Sequence, residues 1–243
     1  MHIYSLLKLF FPSILTNLGF LKFKRFYYDI FFKQKEKIKF ERNFFNRIAF
    51  IQKSISLFNW KKCKYLEIGV FDNESFNSIP LPVKNKFGVD PAQGGNIRKT
   101  SDVFFRTNKN KFNVIFIDGL HEYIQCQKDI LNSLKSLKKN GIILIHDLLP
   151  KNKFVSAVPR KQDIWTGDVW KIAVELTNSH NVLFKIANID HGIGILIPKF
   201  NYQYKKMNNE LLNANFHDFY HKYYKTLPIV NSEEALKFIN TRK

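Results

Sequence analysis

The stretch Lys111 to Pro150 limits what this chain can fold into more than any other, because it reads as two buried strands joined by one helix. Val114 to Ile117 is a nearly continuous apolar run with β-branched members, which suits a strand covered on both faces. It ends in Asp118-Gly119. After the loop Leu120 to Tyr123, apolar residues recur at Cys126, Ile130, Leu131, Leu134 and Leu137, the spacing of one helix face. Lys138 and Lys139 are expected in the last helical turn, where the dipole favours cations, with Gly141 ending the helix. A second apolar run, Ile142 to Ile145, ends in His146-Asp147. Strand, crossover helix and strand make a βαβ unit, whose strands lie parallel and whose crossover is almost always right-handed. Asp118, His121, His146 and Asp147 are therefore expected at the carboxyl ends of neighbouring strands, the edge where open α/β sheets bind ligands.

The rest of the composition is compatible with that unit. The 243 residues suffice for one α/β domain plus an appendage, and the 45% apolar and 16% aromatic fractions exclude a disordered chain. A net charge of +19 suits a lysine-rich solvated surface, or attraction to anionic lipid, nucleic acid or a negatively charged substrate. No zinc spacing, aromatic RNA-binding pattern or glycine-lysine loop is found, so no nucleic-acid partner is expected. Cys63 and Cys126, the two cysteines, fall before a predicted strand and on a predicted helix face. A disulfide framework is not expected, and a reducing, cytoplasmic setting fits.

Residues 1–20 are apolar but interrupted by Pro12, Ser13, Thr16 and Asn17, too short and broken for a membrane span and without the pattern of a cleavable signal. A basic, aromatic stretch follows, and residues 1–60 hold eleven Lys/Arg against three Asp/Glu. This segment reads either as a membrane-peripheral amphipathic helix or as helices covering the core or a partner subunit. Lys37 to Trp60 has helical spacing. Tyr65 to Val70 supplies the first strand, with Gly69 at its end, and Glu67 inside it is costly unless paired, which marks it as a candidate ligand contact. Lys86 to Asp90 is a second short strand, and its terminal acid lies where a nucleotide-binding βαβ can hold both ribose hydroxyls. Thr100 to Phe105 is a weaker strand-plus-helix element with Thr100 or Ser101 as cap. Leu148 to Asp168 reads as a long binding loop or lid. Val169 to Thr177 is expected to be helical, and Val182 to Ile189 with Gly192 to Ile197 reads as a terminal antiparallel hairpin turning at Asp190-His191, which turn chemistry alone explains. A helix is expected near Asn208 to Tyr224. The boundaries that follow are 1–60 for a helical, basic segment facing membrane or partner, 61–199 for the central domain and 200–243 for a helical tail.

The ordered set YLEIGVF (65–71), FGVD (87–90), TSDVFF (100–105), FIDGLHEY (116–123), GIILIHD (141–147) and GDVWK (167–171) resembles a class I S-adenosylmethionine-dependent methyltransferase. It is most similar to the small bacterial macrocin-type sugar O-methyltransferases. The resemblance covers roughly residues 60 to 198 and implies a seven-stranded, mostly parallel Rossmann-like sheet with an antiparallel last strand. It also implies S-adenosylmethionine as cofactor, with Glu67 and Gly69 along its methionine portion and Asp90 on its ribose. Asp118, His146 and Asp147 match positions that hold magnesium in metal-dependent members, and His121 matches a histidine base. The sequence departs from the pattern at Phe71 and Asn73, which stand where glycines often occur. It departs again at His146, because magnesium prefers oxygen and imidazole suits a transition metal. Mg2+ or another divalent ion therefore stays open at this point.

The implied activity is methylation of a hydroxyl on a sugar or glycan precursor, in a cytoplasmic or membrane-peripheral setting. N-methylation of an amino sugar or small amine, and a catalytically inactive scaffold in glycan assembly, are the alternatives. Trp165, Asp168 and Trp170 either shape the acceptor pocket or pack in the core. The acceptor's identity and the oligomeric state are not encoded legibly.

Overall fold

The computed structural model describes residues 17–32, 34–42, 45–206 and 209–242. Its centre is a seven-stranded sheet in the order β2-β1-β3-β4-β6-β5-β7. The strands are β1 Tyr65–Ile68, β2 Lys86–Val89, β3 Phe112–Ile117, β4 Leu137–Ile145, β5 His180–Ala187, β6 Ile193–Gln203 and β7 Ile229–Val230. The helices are α1 Asn17–Phe31, α2 Arg47–Ser56, α3 Glu74–Asn77, α4 Ser101–Thr107, α5 Tyr123–Ser136, α6 Trp170–Thr177, α7 Asn209–Asn213, α8 Phe216–Asp218 and α9 Ser232–Phe238.

The predicted βαβ unit is present as β3, α5 and β4, with β3 parallel to both β1 and β4. β6 runs antiparallel to β4 and β5. It follows that β5 points the same way as β1 to β4, as does β7 beside it, so the carboxyl ends of six strands share one rim. The mostly parallel, Rossmann-like class with a late antiparallel strand is as expected. The seventh strand comes from the C-terminal segment, where Ile229 and Val230 pair parallel to Ile186 and Ala187.

Both sheet faces are buried, which is why the strands read as continuous apolar runs rather than alternating ones. Ile115, Ile117, Ile143 and Ile145 pack with Cys126, Ile130 and Leu134 of α5 and with Trp170 of α6. Val114, Phe116, Ile142 and Leu144 pack on the other side with Phe50, Ile51 and Ile55 of α2 and Ala235 of α9. The period-two alternation of the strand thus assigns neighbours to opposite layers. Cys63 and Cys126 are buried free thiols, consistent with the absence of a disulfide framework.

Several sequence expectations need correction. α5 stops at Ser136, and Lys138, Lys139 and Gly141 lie in β4 rather than at a helix end. Gly141 is small for a packing reason, since a Cβ there would meet Leu137 Cγ at 2.6 Å. Thr100 to Phe105 forms no strand; Thr100 caps α4 by accepting from the Val103 amide at 3.3 Å. The helix expected over Lys37 to Trp60 is confined to Arg47–Ser56, because Asn46 accepts from the Ile48 amide and starts it there. The expected helix Asn208 to Tyr224 is broken into α7, α8 and a π-helical turn over Phe219–Tyr223. Most of the N-terminal apolar run, residues 1–16, lies outside the described residues. No described helix is long and apolar enough to cross a membrane.

One contact fixes how β1 meets β3. Gly69 has φ +82°, and a Cβ there would stand 2.0 Å from the Asp118 carbonyl oxygen. Gly69→Ala is therefore expected to lower stability by at least about 3 kcal/mol, measurable as a reduced urea midpoint, through combined strain and overlap.

Candidate functional site

A single cleft of about 1090 Å³ runs along the shared rim. All seven candidate residues lie in it: Glu67, Gly69, Asp90, Asp118, His121, His146 and Asp147. At one end the chain builds a tight cradle. Phe71 (φ 51°) and Asn73 (φ 66°) occupy the left-handed region without being glycine, a strained arrangement that needs support from outside. Asp90 provides it. One of its oxygens accepts from the Val70 and Phe71 amides, both at 3.1 Å, and the other from Ala92 and Gln93 at 2.8 and 2.9 Å. Burial opposes its ionisation, but these four N–H donors hold its carboxyl below the usual range. Asn73 Oδ1 adds a bond from the Gly95 amide.

Beneath the cradle, Glu67 is buried and accepts from the Tyr65 hydroxyl at 2.7 Å. Burial is the main cause of a carboxyl pKa pushed up to about 8, with Asp118 adding to it against the Tyr65 bond. Asp129 of α5, another buried acid on the cleft wall, is raised to about 6, again chiefly by burial.

The other half of the cleft gathers imidazoles and carboxylates. His146 Nδ1 lies 3.2 Å from Asp118 Oδ1 and 3.3 Å from Asp147 Oδ1. His121 Nδ1 lies 3.1 Å from Asp147 Oδ2, and its Nε2 is 3.5 Å from Asp118 Oδ1. Nδ1 also donates to the Trp165 carbonyl oxygen, which can only accept, so Nδ1 carries a proton and Nε2 is the atom left for proton transfer. Trp165 stacks over the imidazole with ring centroids 5.3 Å apart. Burial opposes protonation of His121, yet Asp147 and Asp118 raise it to about 9. Burial likewise opposes ionisation of Asp118, but His146 and His121 hold it well below the ordinary range. Asp147 sits at φ +65°. The donor atoms of Asp118, His121 and Asp147 lie within 4.8 Å of one another, a set able to take a divalent cation. His146 instead stands behind the two carboxylates.

Residues that sequence reasoning missed complete the cluster. Asp190 accepts from the Arg47 amide at 2.9 Å, and the Arg47 guanidinium reaches Asp190 at 3.4 Å and Glu74 at 2.6 Å. His146 Nε2 faces Asp190 Oδ1 at 3.4 Å without a hydrogen bond of its own. Turn chemistry accounts for Asp190 and His191 in the sequence, yet the structure adds Asp190 to the cluster. A signal was available, since an antiparallel final strand forces the strand before it to end at the same rim as β3 and β4. Arg47 had no comparable signal. Of the three residues left open, Trp165 lines the cleft, Trp170 is core, and Asp168 accepts from the Tyr123 amide at 2.7 Å, capping α5.

Acidic side chains from β1 and from the ends of β2, β3 and β4 thus meet along one rim of the sheet. The architecture is Rossmann-like, a mostly parallel seven-stranded sheet with one antiparallel strand and a cleft at the carboxyl rim. Residues 89–148, from the end of β2 through β4, match the model of a methyltransferase domain family. No curated protein matches the chain significantly. Among solved structures, it is similar to an O-methyltransferase from Bacillus cereus in complex with S-adenosylhomocysteine, at 12% identity and TM-score 0.46, covering 75% of this chain and 100% of that one. It is similar to TomG from Streptomyces achromogenes, an O-methyltransferase of tomaymycin synthesis in complex with S-adenosylmethionine, at 9% identity and TM-score 0.44, covering 76% and 100%. MycE of the mycinamycin pathway, in complex with Mg, S-adenosylhomocysteine and mycinamycin VI, is similar at 11% identity and TM-score 0.41, covering 63% of this chain and 50% of that one.

Asp90→Asn replaces one of the two acceptor oxygens with an NH2 donor, so two of the four backbone amides lose their partner and the charge is removed from the other two bonds. It should cost about 1–3 kcal/mol and speed hydrogen exchange at Val70, Phe71, Ala92 and Gln93. Because folding lowers the Asp90 pKa, its contribution is present at neutral pH and lost as pH falls below the usual carboxylate range, so the variant's deficit should shrink in acid.

Proposed function

We propose that this chain transfers a methyl group from S-adenosylmethionine to a hydroxyl of a sugar or glycan precursor, with His121 as general base. The observation that carries this reading is the convergence of His121, Asp118 and Asp147 in the same cleft as the Glu67–Asp90 cradle. S-adenosylmethionine supplies an electrophilic methyl carbon on a sulfonium.

The cradle suits that molecule. Glu67 offers a buried carboxylate to its ammonium group, Gly69 and Val70 offer close backbone approach, and Asp90 sets the edge for its ribose. Ser101, Gln125 and Asp129 give the cleft a polar floor for a heterocyclic base. At the acceptor end, Trp165 with Arg160 and Asp163 combines an aromatic face with charged hydrogen-bonding groups. That pairing suits a sugar, whose C–H face stacks on a ring while its hydroxyls bond to polar groups.

His121 Nε2 would take the acceptor's hydroxyl proton as the oxygen forms its bond to the methyl carbon and the carbon–sulfur bond breaks. Asp147 and the Trp165 carbonyl keep Nδ1 protonated and the ring oriented, as a positioned base requires. The negative charge of Asp118 and Asp147 stabilises the resulting imidazolium. Asp118 and Asp147 would also hold a divalent cation, which would lower the pKa of the acceptor hydroxyl. The donor set fits, because a cation there would offset the charge that now raises His121 above the range useful to a base at neutral pH. In this arrangement His146 holds Asp118 in place.

Incubation with S-adenosylmethionine and candidate glycan acceptors, read by mass spectrometry as a gain of one methyl group, tests the reading. His121→Ala should keep cofactor affinity and lose about 10²- to 10⁴-fold in turnover; undiminished turnover would remove His121 as base. Chelator should abolish turnover, with Mg2+ or Mn2+ restoring it. Cofactor binding should also release a proton near pH 7, because an ammonium beside Glu67 favours its ionised form. Calorimetry in buffers of different ionisation enthalpy reads that proton directly, and Glu67→Gln should abolish the release.

A further inference from the structure

Helix α1 presents two unlike faces. Tyr28 stacks on Phe154 with centroids 4.0 Å apart and planes within 2°, and Arg25 pairs with Asp163 at 3.0 Å. Both partners belong to the long loop 148–168, and Asp163 lines the cleft. The face turned away from these contacts is apolar and exposed: Phe26 is 62%, Tyr27 42%, Ile30 55% and Phe31 68% accessible. At 100° per residue these four fall on one side of the helix, opposite Tyr28 and Arg25. Lys22 and Lys24 flank them, and Lys35, Lys37 and Lys39 follow directly after the helix.

A solvent-facing patch of three large apolar side chains and a tyrosine is unusual on a protein that stands alone in water. We infer that α1 lies in the surface of an anionic membrane, with Phe26, Ile30 and Phe31 inserted at the acyl boundary and Tyr27 and the lysines at the headgroups. The lysine margin selects this occupant. In a two-fold pairing of copies through the same face, lysines would meet lysines, whereas anionic headgroups complement them. The chain's net charge of +19 favours the same surface. Helices of this kind bind through buried apolar area together with attraction to anionic lipid, and α1, with 15 residues, is too short to span. Because Tyr28 and Arg25 grip the loop that forms a wall of the cleft, the helix that meets lipid also holds that wall. The cleft would then load its acceptor beside the bilayer. This last consequence rests on the function proposed above; the docking does not.

The full chain should co-sediment with vesicles containing phosphatidylglycerol, bind pure phosphatidylcholine vesicles at least about tenfold more weakly, and release from the former as salt rises. The triple variant Phe26→Ser/Ile30→Ser/Phe31→Ser should lose at least about tenfold in vesicle affinity. Its melting temperature and cofactor binding should stay unchanged, since these side chains face solvent. Lys22→Glu/Lys24→Glu should weaken the preference for anionic lipid. Wild-type protein remaining in the supernatant with both lipids would overturn the inference, as would a triple variant that sediments like wild type. Conversion of a dimer to a monomer by the triple variant, with no change in lipid binding, would assign the face to a second copy instead. Cofactor binding in the same samples reports on the methyltransferase reading separately.

Discussion

The structure turns on the half-buried carboxylate of Asp118. A charge partly withdrawn from water is costly without a partner, and the cluster around it supplies the opposite charges. His146 and His121 both approach the Oδ1 atom of Asp118, and both also touch Asp147. Two acids and two imidazoles close together give a compact set in which each ionised group faces an opposite charge. Removing one member would strand the others, so the layout is coupled rather than additive. Arg47 and Asp190 extend the same pattern outward, tying the start of α2 to the end of β5.

That coupling explains why the site was legible in part. The four residues of the βαβ unit could be placed from sequence because strand ends are read from apolar runs, and parallel pairing puts successive ends on one rim. Glu67 and Asp90 followed from the same logic, an acid inside or at the end of a buried run. Arg47 was illegible for a physical reason: it reaches the cluster across tertiary contacts from a helix that precedes the sheet, and no periodicity records such an approach. Asp190 was hidden by a bland alternative, since aspartate in a tight turn needs no further explanation.

The fold shows the same division. β1, β3 and the apolar half of β4 were recoverable because hydrophobic runs flanked by acids or glycines mark buried strands. The start of β4 was misjudged because Lys138, Lys139 and Asn140 look like a helix end. Only pairing with β3 recruits that polar stretch into the sheet, where Phe112 lies opposite Leu137. Ile229 and Val230 form a strand because the β5 edge offers unpaired backbone groups there, a tertiary opportunity that two residues cannot announce.

The cradle raises a different point about sequence departures. Phe71 and Asn73 stand where glycines would relieve a left-handed backbone, and both adopt it anyway. Such strain persists only where surrounding structure over-determines it. At Phe71 the determinant is Asp90, whose two oxygens bind the cradle on one side and its own following turn on the other, and at Asn73 it is the bond from the Gly95 amide. An acid expected to meet a ribose is thus already committed to shaping the loop that would receive the cofactor. The degraded glycine pattern and the fully bonded aspartate are two halves of one arrangement. Restoring a glycine at Phe71 would lessen the strain but leave the need for Asp90, because the amides it gathers would still lack any other acceptor among the described contacts.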